Sequence, residues 1–496
     1  MINENGANGG YFTVPLYERS FASEVSGDFT LPDYYTEIRR ILCVTPTVLP
    51  AAKYVGDNTA EFNGVVDYTV TYVGGDGEIY SIPLSSDYSF NVPLDKVDGA
   101  GDASALCSIG VESVNTRVSA PRRLSIRTRI RPNVRIYAKL SSSVNCDTDA
   151  SVSHIHTRTA EVQSLDCECS ASDVIEVEYI IPNVSEDLRV LRADGYVCCE
   201  QAERTDGGVK CPANLKLCLL VSREEGAVIE TLTGEAPIEG EIDFDINTVD
   251  VPVNVRGIVS EMSVNVTDQG IECRVGVILE GRACHNDTIG YTDDIYSTEK
   301  QCECESKRIS IRRSAACSSG SFSFSERFPI DTVGISADTQ VYMTVGSVTM
   351  DKCEAKGNKY ALSGNAVFSL LCRRDGEFQV NEVTVPVKYE TDGYCSTDGG
   401  LYFDALCQPM DIKTRIDGDS LCIDCEIYVS CDIVCEDTVN AVEKVSFGTP
   451  ISREESRIVV CYPSVDDTLW SVAKRYCVDR VNIVGDPEKD RFVIIE

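Results

Sequence analysis

The sequence predicts a mainly β protein: three tandem antiparallel β-sandwich-like repeats followed by a small α+β domain at the C-terminus. Three observations carry this. Apolar residues alternate with period two over long stretches, one strand phrase returns at a nearly constant interval, and patterns of helical period are scarce. A length of 496 residues allows about three domains of ordinary size.

The phrase is clearest at Gly64–Val73, GVVDYTVTYV, followed by GGDGE. Val66, Tyr68, Val70 and Tyr72 share one face, Asp67, Thr69 and Thr71 the other, and Gly74–Gly77 supplies a turn. It returns at Ala213–Val221 (ANLKLCLLV) and at Asn365–Cys372 (NAVFSLLC). From Val73 to Val221 is 148 residues, and from Val221 to Cys372 is 151.

A hairpin pattern follows each phrase. The copies are Val114–Tyr137 with a turn at Ala120-Pro121-Arg122, Met262–Cys284 with a turn at Asp268-Gln269-Gly270, and Met410–Cys435 with a turn at Asp417-Gly418-Asp419. From Leu421 to Cys435 every second residue is apolar, which predicts one long strand or two joined by a bulge. These patterns divide the chain into a segment 1–32, repeats 33–150, 151–295 and 296–445, and a final domain 446–496.

Helix is expected in two places. Asp33–Leu42, DYYTEIRRIL, has Asp33 as a candidate N-cap after Pro32. Leu469–Tyr476 has Thr468 as its cap and places Leu469, Val472, Ala473 and Tyr476 at i, i+3, i+4 and i+7 on one buried face. A final strand is expected at Phe492–Ile495.

Composition narrows the function. The 79 acidic against 45 basic residues give a formal charge of −34. A surface of that sign opposes nucleic acid and anionic lipid, both of which select basic proteins. With 43% hydrophobic and 25% charged residues the chain has the apolar material for several cores. No apolar stretch is long enough to insert in a membrane. The N-terminus lacks a basic segment followed by an apolar one, so no secretory signal is expected.

The 24 cysteines stand out against three histidines and one tryptophan. Cys218, Cys273, Cys372, Cys425, Cys431 and Cys435 fall where the other copies carry aliphatic or aromatic residues. They are expected to act as small core hydrophobes, with a minority left for cross-linking in an oxidised layer.

His154 and His156 (HIH), followed by Cys167 and Cys169 (CEC), are four residue types that suit tetrahedral zinc. The second CEC, at Cys302 and Cys304, has only the isolated His285 for company, and residues two apart share a strand face by default. These four are weak metal candidates, and solvent-facing strand edges are the favoured reading. No nucleophile elbow, phosphate loop or zinc-protease helix occurs. Neither an enzyme nor a cofactor is expected.

The run Leu31–Leu42, LPDYYTEIRRIL, followed by the strand Gly64–Val73, resembles the entry of SPOCS domains. Asp294–Thr298, DIYST, is similar to that family's Asp-x-Tyr-Ser-Thr junction. SPOCS domains are β-rich modules of endospore-forming bacteria implicated in building the spore coat. The C-terminal text Val459–Tyr462 and Asp466–Tyr476, DDTLWSVAKRY, resembles the first strand, loop and helix of a LysM domain, usually GDTLW-x-IA-x-x-Y.

Together the two resemblances imply a spore coat morphogenetic protein. It would be made in the mother-cell cytoplasm and recruited to the forespore surface, with other morphogenetic coat proteins as partners. LysM domains bind N-acetylglucosamine glycans between two loops. By position these are Asp467, Thr468 and Leu469 in the first, and Gly485, Asp486 and Pro487 in the second. Asp466 stands in place of the usual glycine, and Asp479–Asp490 is short for a second helix with its loop. Two readings follow, docking of a protein, which is favoured, and binding of peptidoglycan glycan.

Overall fold

The structure, a computed structural model, describes residues 11–142, 145–146, 153–163, 171–182, 188–205, 208–223, 228–243, 253–283, 286–393, 400–452 and 458–496. Strand dominates these residues, in several antiparallel sheets. The first stretch holds β1 (Tyr11–Ser20), β2 (Ser23–Thr30), β3 (Ile38–Val48), β4 (Ala52–Val55), β5 (Thr59–Gly74), β6 (Ile79–Pro93), β7 (Ala100–Ala120), β8 (Arg123–Ser141) and β9 (Asn145–Cys146). The second holds β10 (Ser153–Gln163), β11 (Ala171–Pro182), β12 (Arg189–Cys199), β13 (Glu203–Thr205), β14 (Gly208–Arg223), β15 (Val228–Asp243), β16 (Val253–Thr267), β17 (Gly270–Ala283) and β18 (Asn286–Ser297). The third holds β19 (Lys300–Pro329), the short helix α1 (Ile330–Val333), β20 (Gln340–Lys356), β21 (Lys359–Arg374), β22 (Glu377–Asp392), β23 (Leu401–Asp417) and β24 (Ser420–Pro450). Last come β25 (Val459–Cys461), α2 (Leu469–Tyr476), β26 (Ile483–Val484) and β27 (Val493–Ile495).

One plan of pairing occurs three times. The strands carrying the repeated phrase, β5, β14 and β21, are each the middle of a meander: β3–β5–β6, β12–β14–β15 and β20–β21–β22. The hairpin that follows joins a second sheet with the strand that precedes: β2–β8–β7, β11–β17–β16 and β19–β24–β23. Its turns fall at Pro121-Arg122, Asp268-Gln269 and Gly418-Asp419. In each case one buried cluster collects side chains from both sheets. Val66, Tyr68, Val70 and Tyr72 are all but inaccessible in the first of them. Burying an aliphatic side chain of this size contributes about 1.5–3 kcal/mol.

The segment expected to be helical, Asp33–Leu42, is not. Residues 33–34 form a turn, with Tyr35 N donating to Pro32 O at 3.0 Å, and β3 starts at Ile38. The cause is visible in the register of β3 on β5, which slips between Ile38 and Arg40 and again between Ile41 and Cys43. A bulge inserts a residue and turns a period of two into a local spacing of three. Ile38, Ile41 and Leu42 therefore imitate a helix in the sequence. The equivalent strands β12 and β20 slip as well, at Val190/Arg192 and Val341/Met343.

Three further strand pairings tie the sheets together. They are β1 with the end of β8, β10 with β18, and the start of β19 with the end of β24. One buried cluster takes Phe12, Val14 and Ile136 from the first, Val162 and Ile289 from the second, and Ile311 and Val439 from the third. A second cluster joins the meanders through Val73 and Ile79, Leu191 and Leu220, and Met343, Leu371 and Phe378.

Buried arginines cross between these parts. Arg192 on β12 donates to Thr71 and Thr45 at 2.9 and 2.8 Å while paired with Asp194 at 2.6 Å. Arg256 on β16 reaches Asp404 at 2.8 Å and Asp432 at 2.9 Å.

The cysteines largely follow the core expectation. Cys273, Cys372, Cys425, Cys431 and Cys435 are buried, and Cys218 is half-buried. Burial pushes the Cys273 thiol up to about 11 and the Cys425 and Cys218 thiols up to about 12. At neutral pH these groups are protonated and inert. No helix among the described residues is long and apolar enough to cross a membrane.

Candidate docking site

The last 39 residues, 458–496, build a small domain around α2. Thr468 caps the helix as its sequence predicts: Ser471 N donates to Thr468 Oγ1 at 3.2 Å, and Thr468 N donates back to Ser471 Oγ at 2.9 Å. The helix ends at Cys477, whose φ of 54° is left-handed, and Val478 N returns to Ala473 O at 3.0 Å. Behind the helix lies a three-stranded sheet in the order β25–β27–β26. The last strand starts one residue later than expected, at Val493. Val472 and Ala473 are buried as expected, but Leu469 is 37% exposed. It stands at the first position of the helix, and Tyr476 at the far end of the stripe is half-buried against the core that holds Val472 and Ala473.

Most residues of the two candidate loops have an internal task. Asp467 accepts from Ser464 N at 2.8 Å and from Ser471 Oγ at 3.2 Å, and also pairs with Arg475. The Arg475 guanidinium, together with the Ser464 and Ser471 donors, holds its carboxyl below the ordinary range. Thr468 is spent on the cap. In the second loop Gly485 has φ +110°, a conformation that favours glycine, and Pro487 is buried. Asp486 accepts from Lys489 Nζ at 2.7 Å and Glu488 N at 3.1 Å, and these contacts pull its carboxyl down. The two aspartates of these loops are thus already paired with neighbouring donors. That leaves Leu469 and the backbone at Gly485 as the loops' outward chemistry.

The histidines and the DIYST string meet at this domain. Tyr296 on β18 joins the domain's own core and donates its hydroxyl to Val478 O at 2.9 Å. Trp470 Nε1 donates to Asp294 Oδ2 at 2.8 Å, and Lys474 pairs with the other oxygen of the same carboxylate. Burial raises the Asp294 pKa, but Lys474 and Trp470 outweigh it and leave the group below the usual carboxylate range. His154 Nε2 lies 2.7 Å from Asp479 Oδ1, and its ring stacks on Tyr296 with centroids 4.8 Å apart. His156 packs on Trp470 at 4.8 Å and sits 2.5 Å from Asp293. Arg480 lies over the indole of Trp470, 4.9 Å from its centroid.

The two histidines are therefore on one strand face, as expected, but that face is half-covered by the C-terminal domain rather than open to solvent. Cys167, Cys169 and His285 lie outside the described residues. Cys302 and Cys304 share a face of β19 with sulfurs 4.0 Å apart, and no group of three metal-ligating side chains occurs among the described residues.

A surface that was not singled out in the sequence lies on the far side of the domain. Val460 and Val484 both pair with Ile494, so the three share one sheet face. Tyr462 and Phe492 extend that face, with rings 6.3 Å apart, and Tyr462 is 69% exposed. The signal was present in IVVCY, where the strand is apolar on both faces although only one can cover α2. No protein-family model, no curated protein and no solved structure matches this chain.

Proposed function

We propose that this chain is a non-enzymatic assembly protein of the bacterial endospore coat. In this reading residues 33–150, 151–295 and 296–445 are tandem SPOCS-like β-sandwiches, with the segment 1–32 contributing strands to the first. Residues 446–496 are a LysM-like module that docks a protein. The recurrence of one pairing plan in three sheet pairs supports the tandem reading. The capped DDTLW helix on its small sheet supports the LysM-like one.

The observation that carries docking over sugar binding is the outward apolar face of Val460, Tyr462, Val484 and Phe492. A flat apolar face with two aromatics suits a protein contact. Sugar recognition needs free polar groups, and in the two loops these are engaged internally. The partner would be another morphogenetic protein at the forespore surface.

The test is a fluorescent fusion of the full chain in a sporulating cell. Localisation to the forespore is expected, with loss of localisation in a Tyr462→Asp, Phe492→Asp variant. A fusion that stays diffuse overturns the coat reading. Strong co-sedimentation of the full chain with purified peptidoglycan, weakened by Leu469→Asp but not by the sheet-face variant, would replace protein docking with glycan binding.

A further inference from the structure

In a chain of charge −34, one sheet face is basic. On the outer face of β2–β8–β7, Arg123, Arg127, Arg129 and Arg131 stand on β8, and Arg117 stands on β7 opposite Ser125. All five are exposed. Three carboxylates share the face: Glu24, Asp28 and Glu112. Glu112 is shared by Arg129, at 2.6 Å, and Arg131, while Asp28 accepts from Ser125 at 2.6 Å. Arg117, Arg123 and Arg127 have no ion-pair partner among the described residues.

The topologically equivalent face of β11–β17–β16 has the opposite sign. Glu176 and Glu178 stand on β11, Glu272 and Arg274 on β17, and Glu261 on β16. Arg274 is shared between Glu178 at 3.4 Å and Glu272 at 3.0 Å. Glu176 and Glu261 have no ion-pair partner among the described residues. Alternate residues on a strand are about 6.8 Å apart. The row Arg127, Arg129, Arg131 thus has the same pitch as the row Glu176, Glu178.

We infer that these two faces are the two halves of one self-association contact: the basic face of the first sheet pair binds the acidic face of the second sheet pair in another copy of this chain. Matched pitch lets guanidinium and carboxylate groups pair in register. The mixed signs argue for this occupant. Glu24, Asp28 and Glu112 would repel a uniform polyanion, whereas a facing sheet that carries Arg274 among glutamates meets both signs.

Because the two halves lie on different parts of the chain, the contact is heterologous. Each copy keeps one half free after binding, so assembly continues as a chain or ring of copies. Self-association of this kind deepens the assembly reading by naming one partner as the protein itself. It is tested without a spore, so its failure leaves the localisation of the fusion untouched.

Salt dependence follows from the charges. At very low salt the overall negative charge holds copies apart. At physiological ionic strength the Debye length of about 8 Å screens that repulsion but not direct pairs, and at about 1 M it falls to about 3 Å and weakens the pairs as well. Association is therefore strongest at intermediate salt.

The experiment is sedimentation velocity of the purified full chain across salt concentration, with two variants checked for unchanged circular dichroism. Arg123→Gln with Arg127→Gln neutralises the basic half, and Glu176→Gln with Glu178→Gln neutralises the acidic half. The wild type is expected to form species larger than a dimer at intermediate salt. Each variant alone stays monomeric, with the dissociation constant raised at least about tenfold. An equimolar mixture gives a complex that stops at two chains, because only one intact pair of halves remains. A wild type that is monomeric at all salt concentrations overturns the inference, and so do variants that assemble like it. A monomeric wild type retained on heparin through the same arginines assigns the basic face to a polyanion instead.

Discussion

The seam between β16 and the β23–β24 hairpin and the seam between the C-terminal domain and β18 both set a cation against carboxylates. They differ in their access to water. Arg256, Asp404 and Asp432 are almost fully buried, each with less than a tenth of its side chain accessible. At the other seam Lys474 is 44% and Asp294 25% exposed, and half of the contact is aromatic, from Tyr296, Trp470 and the two histidines. A buried charge has no alternative partner once its own is removed, whereas an exposed one turns to solvent. The first seam is thus a permanent joint between sheet pairs. The second is expected to open at smaller cost.

Removing the cation at the buried joint should have the largest effect. Arg256→Ala leaves Asp404 and Asp432 facing each other without water, and is expected to cost about 3–5 kcal/mol. Urea unfolding followed by circular dichroism measures it. A loss below about 1 kcal/mol would mean that water reaches this joint and that the contrast between the seams is false.

At the second seam the expected effect is smaller and local. Asp294→Asn weakens the bonds to Lys474 and Trp470, for a loss of about 1 kcal/mol after solvent screening. Trp470 is the chain's only tryptophan, so its emission reports α2 and this seam. A red shift is expected without loss of the β signal. Acid should act in the same way. Because the folded pKa of Asp294 is depressed, its stabilisation is fully present above the ordinary carboxylate value of about 3.9 and is lost as pH falls below it. In wild type the indole should shift on acidification before global unfolding, and Asp294→Asn should abolish that step. Coincident emission and circular dichroism transitions in both proteins would merge the two seams into one.

An effect of similar size is expected at the start of α2, the helix that carries Trp470. Thr468→Ala removes the acceptor for Ser471 N at the start of α2 and should cost about 1 kcal/mol of the C-terminal domain's stability. Trp470 emission during urea unfolding reads it, while the far-UV transition of the sheets stays in place.

The sequence showed most where structure is local. Alternation in GVVDYTVTYV and its two copies named the middle strand of each meander. The three hairpin turns fell where Pro121, Asp268 and Gly418 place them, and Thr468 named the start of α2. Legibility failed at β3, where two bulges broke the period of two and imitated a helix. It failed more fully at the site. HIH, DIYST and Trp470 were each noticed, but as a metal candidate, a family junction and a helix residue. Nothing in their spacing says that His156 packs on Trp470, 314 positions later.

Periods, turns and caps are properties of neighbouring residues, so the chain determined them by itself: its β class, its threefold phrase, its last helix and the core placement of Cys273, Cys372, Cys425, Cys431 and Cys435. Only the tertiary structure decided which faces remained open. Strand pairing carried His154, His156 and Tyr296 to the C-terminal domain and half-covered that face, while Tyr462 and Phe492 were left on the opposite one. The same folding put the arginines of β8 and the glutamates of β11 on equivalent outer faces of two sheet pairs. Exposure is set by contacts between residues hundreds of positions apart, and no local pattern encodes it.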